Sequence, residues 1–227
     1  MKEQNEENKN SLTEVLSKSE LFLEKNKKII TIVVVAILVV VLGFFGLKKF
    51  YFQPREVEAS EEMFYAENLW AADQFEQALN GDENHLGFVD IIDQYSCTKA
   101  GNLAKYYAGV SELRLGHFEQ AISYLEKYKG KDTFTKVFSV ILTGDAELEL
   151  GHNDAALKNY MKAANMDKDN YVTAPMALYK AGMVHLINGN NAEATKCFEQ
   201  VKKDYPESSE RAEIDKYIGY SEAAEQK

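Results

Sequence analysis

The chain has 227 residues, 45% hydrophobic and 27% charged, which is room for one globular domain of ordinary size plus an appended tail and anchor. Its formal net charge of −10 argues against a nucleic-acid partner held by many phosphate contacts, and no basic stripe interrupts the acidic balance outside the flanks of one apolar run. The two cysteines, Cys97 and Cys197, show no CxxC or metal-ligand spacing, and the four histidines no HExxH pairing, so neither a metal site nor a cofactor is read from them. Each cysteine suits a small apolar packing position in a helix, and a disulfide between the two stays open.

In chain order, Met1 to Asn10 is polar and rich in Asn, Glu and Lys, the composition of a disordered tail. Ser11-Leu12-Thr13-Glu14 reads as a capping box, and Leu12, Val15, Leu16, Phe22 and Leu23 fall near one face of the helix it would open. That helix either lies on the membrane surface or simply extends the next one. Residues 1–28 are thus a tail with a short amphipathic helix.

From Ile29 to Leu47 the chain reads IITIVVVAILVVVLGFFGL, without a charge. Such a run is roughly 28 Å long as a helix, enough to cross the hydrocarbon core. Lys27-Lys28 and Lys48-Lys49 bracket it, and Phe44, Phe45, Phe50, Tyr51 and Phe52 gather at one end, as suits a headgroup layer. A cleaved signal peptide is the competing reading; it fails on length and on the bulky, charged LKKFYFQPREVE that follows in place of a small-x-small site. The segment 29–49 is therefore read as a transmembrane signal anchor. Lys18, Lys25, Lys27 and Lys28 against Lys48, Lys49 and Arg55 give little charge bias, so orientation rests on a short tail preceding a long domain. That order puts the N-terminus in the cytoplasm and the larger domain across the membrane.

Past Pro54 the pattern is helical with glycine-containing breaks and no strand-like alternation. Glu56 to Leu79 predicts one long helix ended by Asn80-Gly81, followed by an apolar helix from Leu86 to Tyr95. Residues 50–97 read as a stalk and a degenerate first repeat. Three segments then recur in phase. Gly109, Gly144 and Gly182 are separated by 35 and 38 residues, as are Gly116, Gly151 and Gly189, and Ala121, Ala156 and Ala194. A mid-helix glycine costs about 1 kcal/mol relative to alanine, so three at one phase imply two helices in close approach. The second glycine of each set suits a helix end needing positive φ. The alanines suit a tight crossing, with Leu125, Tyr160 and Phe198 as the larger packing residues behind them. Phe118 fills an aromatic position after its turn where Asn153 and Asn191 do not, and the wider third spacing predicts a slightly longer loop at Met166 to Tyr171. Pro206 closes the array, and Ile214, Tyr217, Ile218 and Tyr220 give the segment after it the look of a terminal cap.

A period near 34 with this punctuation resembles the tetratricopeptide repeat. The fold class read from the chain is all-α: a single N-terminal transmembrane helix, a tetratricopeptide-like α-solenoid with three repeats over 98–207, and a C-terminal capping helix and tail over 208–227. Glu24-Lys25-Asn26-Lys27-Lys28, the stretch Leu86-Gly87-Phe88-Val89-Asp90-Ile91-Ile92-Asp93 and the run from Lys99 to Gly109 together resemble membrane-anchored tetratricopeptide proteins of the YfgM type, in their Bacteroidota form. The resemblance implies a bacterial inner-membrane protein with periplasmic repeats, associated with the SecYEG translocon and a PpiD-like periplasmic chaperone. A scaffold for another cell-envelope assembly is the alternative.

Carrying the groove positions of such repeats onto this chain selects Leu103, Tyr106, Val110 and Leu113, then Phe138, Ile141, Asp145 and Leu148, then Met176, Tyr179, Met183, Leu186 and Ile187. The set is unusually apolar, without the Lys, Arg and Asn of carboxylate-clamp repeats. It would hold an apolar helix or extended segment of a partner, or else lie under the chain's own terminal helix, or belong to the core. His117 and His152 read as polar residues tolerated after a turn, His185 as a packing or surface residue, and Glu147/Glu149 and Asp90/Asp93 as solvated faces. No nucleophile elbow, phosphate loop or dinucleotide fingerprint appears, and the chain is read as a scaffold without catalysis.

Overall fold

The computed structural model describes residues 25–225; the tail and the amphipathic stretch Leu12–Leu23 lie outside them. The chain divides into two units at Pro54/Arg55. In the first, α1 (Lys27–Leu47) has no buried residue among the described residues. This helix is long and apolar enough to cross a membrane. At its end, Lys48–Phe52 winds as a π-helical turn in which the two lysines meet three aromatic rings.

The second unit is helical throughout: α2 (Gln53–Ala71, beginning just before the unit boundary), α3 (Phe75–Asn80), α4 (Phe88–Gln94), α5 (Lys99–Leu115), α6 (Phe118–Lys127), α7 (Thr133–Glu149), α8 (Asn153–Met166), α9 (Thr173–Ile187), α10 (Asn191–Asp204) and α11 (Arg211–Glu225). Thr98 and Asp132 cap α5 and α7, their side-chain oxygens accepting from the amides of Gly101 and Thr135.

Glycine closes three hairpins. Gly116, Gly151 and Gly189 have φ of 82°, 76° and 74°. Each hairpin makes the same pair of backbone bonds: Gly116 N–H donates to Leu113 O and His117 N–H to Glu112 O, with Gly151/His152 and Gly189/Asn190 repeating the pattern. This is the paired closure in which a left-handed residue satisfies two orphan carbonyls at the helix end. The mid-helix glycines are spacers for rings and branched chains on the second helix. A Cβ on Gly109 would lie 2.6 Å from Leu125, one on Gly144 2.7 Å from Tyr160, and one on Gly182 2.5 Å from Phe198. Ala121, Ala156 and Ala194 are fully buried at the crossings.

A fourth hairpin stands where the single helix Glu56–Leu79 was predicted. The chain turns at Ala72–Gln74, and Asp73, at φ 58°, is the positive-φ residue among the described residues that is not glycine. Its N–H donates to Trp70 O and that of Gln74 to Leu69 O, the same closure as in the other three. Phe75-Glu76-Gln77-Ala78 repeats Phe118-Glu119-Gln120-Ala121, and Ala78 is fully buried like its three counterparts. Aspartate tolerates the left-handed region well enough to replace glycine. The second helix of this hairpin then breaks at Gly81 (φ 69°), a short loop closes through a bridge between Gly81 and Leu86, and α4 resumes.

The extra three residues of the last spacing enter mainly a helix. α8 has 14 residues against 10 in α6, while the loop after it has one residue more and α9 two fewer than α7. Lys129-Gly130-Lys131 stops the chain after α6, whereas KNYMKAANM offers no breaker before Asp167.

The buried side chains form two clusters. One joins α2 to α5 around Phe88 and Ile91; the other joins α7 to α11 around Ile141, Tyr160, Phe198 and Val201. α11 belongs to the second: Ile214 is fully buried, Tyr217 lies 5.6 Å from Phe198 and 5.4 Å from Tyr179 between ring centroids, and Lys202 pairs with Asp215 at 2.7 Å. The cysteines differ from the helix-packing reading on one count. Cys97 is exposed in the turn before α5, and only Cys197 packs in a helix; neither is bonded to the other. Burial, with the charge of Glu193 adding to it, pushes the Cys197 thiol up to about 11.

Candidate partner-binding groove

The first helices of successive hairpins, α5, α7 and α9, carry the residues one turn either side of each spacer glycine. Two hollows of about 570 and 700 Å³ run along them, sharing Asp145, Tyr179 and Lys180, so they form one groove. Phe138, Ile141, Met176 and Tyr179 line the first hollow, and Leu113, Leu148, Tyr179, Met183 and Ile187 the second. Nine of the thirteen selected positions, counting Asp145, therefore meet in this groove. Ile141 is 1% exposed and forms floor beneath the surface, whereas Ile187 is 62% exposed at the rim.

The remaining four sit elsewhere. Tyr106 is half-buried with its ring against Tyr107 and Tyr128, at 5.8 and 5.4 Å between centroids. Leu103 borders a separate hollow beside Cys97, Lys99 and Lys129, and half-buried Val110 and Leu186 line neither part of the groove. The apolar surface thus concentrates on the second and third glycine-marked hairpins. The turn before α11 and the start of that helix wall the first hollow through Glu210, Ala212 and Glu213 but leave the second open.

At the junction of the two hollows sits a polar node. Lys180 Nζ lies 2.8 Å from Asp145 Oδ1, the Tyr160 hydroxyl donates to the same oxygen at 2.6 Å, and the ammonium lies 5.8 Å from the Tyr160 ring centre. Burial, then the Asp145 charge and hydrogen bond, pushes the Tyr160 hydroxyl far above its ordinary range, so it stays a donor at any physiological pH. Burial and the neighbouring Tyr217 hydroxyl raise Tyr179 likewise. Position-matching missed Lys180 because it lies off the repeating positions, two residues before Gly182. The repeat counterpart of Asp145 is Met183, three residues further on, so the repeat period gives no signal for Lys180.

The histidines are more specific than a tolerated polar residue. His117 Nδ1 lies 2.7 Å from Glu112 Oε2 and His152 Nδ1 2.8 Å from Glu147 Oε2, the same pairing over the same turn in two repeats. In the third, His185 occupies the glutamate position and Asn190 that of the histidine. His185 Nδ1 is buried without a partner among the described residues, and burial lowers its pKa against the opposing pull of Glu193. Among the described residues no group of His, Cys, Asp and Glu could hold a metal ion.

With the hairpins and groove in place, comparison with known proteins is direct. Residues 176–208, from Met176 near the start of α9 through Ser208, match the tetratricopeptide repeat family. The second unit carries a tetratricopeptide-type repeat fold. Its helices superpose on the crystal structure of MamA protein with a TM-score of 0.53 at 17% identity, over 74% of this chain and 92% of that one, a likeness of fold alone. The chain is also 28% identical over 101 residues to the TPR repeat-containing protein MJ1428 of Methanocaldococcus jannaschii, a stretch covering 44% of this chain and 17% of that protein. In tetratricopeptide terms α2–α3, α5–α6, α7–α8 and α9–α10 are four helix pairs, and the family match falls on the fourth.

Proposed function

We propose that this chain is a non-enzymatic scaffold, anchored in a membrane by α1, that binds a partner protein through the groove of its tetratricopeptide repeats. The observation that carries the reading is the continuous trough over α7 and α9, whose half-buried Phe138, Met176, Tyr179 and Met183 offer apolar and polarisable contact area beside a neutralised Asp145–Lys180 pair. The anchor is supported by the apolar surface of α1, none of it buried among the described residues. Resemblance to the YfgM type extends the proposal to a bacterial inner-membrane protein with a cytoplasmic N-terminus and periplasmic repeats, an accessory of the SecYEG translocon that links it to a PpiD-like chaperone.

Both parts are testable in the full-length protein. A membrane-impermeant maleimide should label exposed Cys97 in intact spheroplasts; labelling only after lysis would place the repeats in the cytoplasm. Crosslinking and affinity purification should recover translocon subunits from wild type and lose them with Tyr179→Glu/Met183→Glu. Recovery of a different envelope complex would replace the translocon partner, and recovery unaffected by the substitutions in a folded variant would remove the groove.

A further inference from the structure

The charges around the groove are unevenly compensated. Its lining holds Asp145, Glu149, Glu210 and Glu213 against Lys180 and Arg114. Both cations are already engaged. Lys180 is bound to Asp145, and the Arg114 guanidinium lies 5.7 Å from the centre of the Phe75 ring. No cation pairs with Glu149, Glu210 or Glu213 among the described residues. Glu210 is the most exacting of the three. Its Oε2 is buried and accepts no hydrogen bond from the described residues, on the wall of the hollow whose floor is Phe138, Ile141 and Met176. A buried carboxylate oxygen without a donor is costly, and a cation arriving in the hollow beside the same carboxylate offsets that cost.

Resting on the groove reading above, we propose that the occupant is an apolar peptide segment carrying a lysine or arginine, its apolar side chains on Phe138, Met176 and Met183 and its cation against Glu210 and Glu213. A purely apolar segment would leave Glu210 unsatisfied, and an acidic one would add a like charge beside three uncompensated carboxylates. The chain's own −10 net charge extends the same preference to longer range.

The test uses the full-length protein in nanodiscs, with empty nanodiscs as the blank, and two fluorescein-labelled hexapeptides, LLALKK and LLALEE. Wild type should bind LLALKK at least about tenfold more tightly than LLALEE, with the preference shrinking as salt rises. In Glu210→Lys/Glu213→Lys the preference should invert. Glu213→Lys alone, on an exposed side chain, should move it part of the way and guards against misfolding of the double variant. Equal binding of the two peptides that persists in both variants, but is lost in Tyr179→Glu/Met183→Glu, would overturn the charge assignment and leave the groove standing. Binding of either peptide untouched by all of these substitutions would overturn both.

Discussion

The first and fourth hairpins make the same fold from different residues. In α9–α10 the first helix carries Gly182, and Phe198, four residues after the crossing Ala194, lays its ring in the space the missing side chain leaves. In α2–α3 the equivalent of Gly182 is Ala66, fully buried, and the residue four after Ala78 is Asp82. By Asp82 the second helix has already broken at Gly81, so it delivers no ring to the face of α2 and no glycine is required; Ala66 packs in one cluster with Phe88 and Ile91 of α4. Asp82 instead accepts from the Tyr65 hydroxyl and from the amides of Asn84 and His85, which tie the loop down. A repeat position is therefore defined by what the opposing helix delivers to it, and its residue changes when the delivery changes.

Exchanging the residues should break that equivalence. The largest effect is expected from Gly182→Ala. The new Cβ meets the buried Phe198 ring at 2.5 Å, and overpacking should cost about 1–3 kcal/mol despite the better helix propensity, read as a lower midpoint in urea unfolding. Ala66→Gly should also destabilise, by about 1 kcal/mol, for the opposite reason: a helix-interior glycine appears where the second helix brings no side chain to use the space. A smaller gain is expected from Asp73→Gly, which removes the strain of a left-handed aspartate and makes the first closure like the other three. It should raise stability by about 0.5–1 kcal/mol in the same assay.

The smallest effect belongs to His185, which stands where the second and third hairpins have Glu112 and Glu147 paired to histidines. Its folded pKa lies below the unfolded value of 6.5, so in that window the unfolded chain binds the proton more readily. Stability is unaffected above about 6.5 and falls as pH drops through the folded pKa. Thermal melts from about pH 7.5 to about pH 5.5 should show a decline that is smaller in His185→Gln.

How much of this was legible beforehand depends on whether a feature is local. The apolar run of α1, the helix-ending glycines and the spacer glycines each answer to backbone sterics or to a fixed period, and they can be read one residue at a time. The turn at Asp73 was hidden because aspartate at a helix end looks like an ordinary surface residue, and only the recurrence of Phe75-Glu76-Gln77-Ala78 signals it. The groove positions were legible as a periodic set. Which of them stay at the surface was not, since Ile141 and Met183 occupy adjacent helices at kindred phases, yet one is floor and the other wall.

By itself the amino-acid order determined an apolar segment long enough to span a membrane, an all-α domain and the phase of three glycine-marked hairpins, because hydrophobic length and helical period need no partner to act. The tertiary structure alone decided that Lys180 neutralises Asp145 across one repeat, that Tyr160 donates to the same oxygen, and that Glu210, in the turn before α11, lines the groove with one carboxylate oxygen buried and unpartnered among the described residues. Those three depend on how neighbouring elements seat against one another, a spacing set by rings such as Phe198 and Tyr160 against their glycines and not by any one residue's preference.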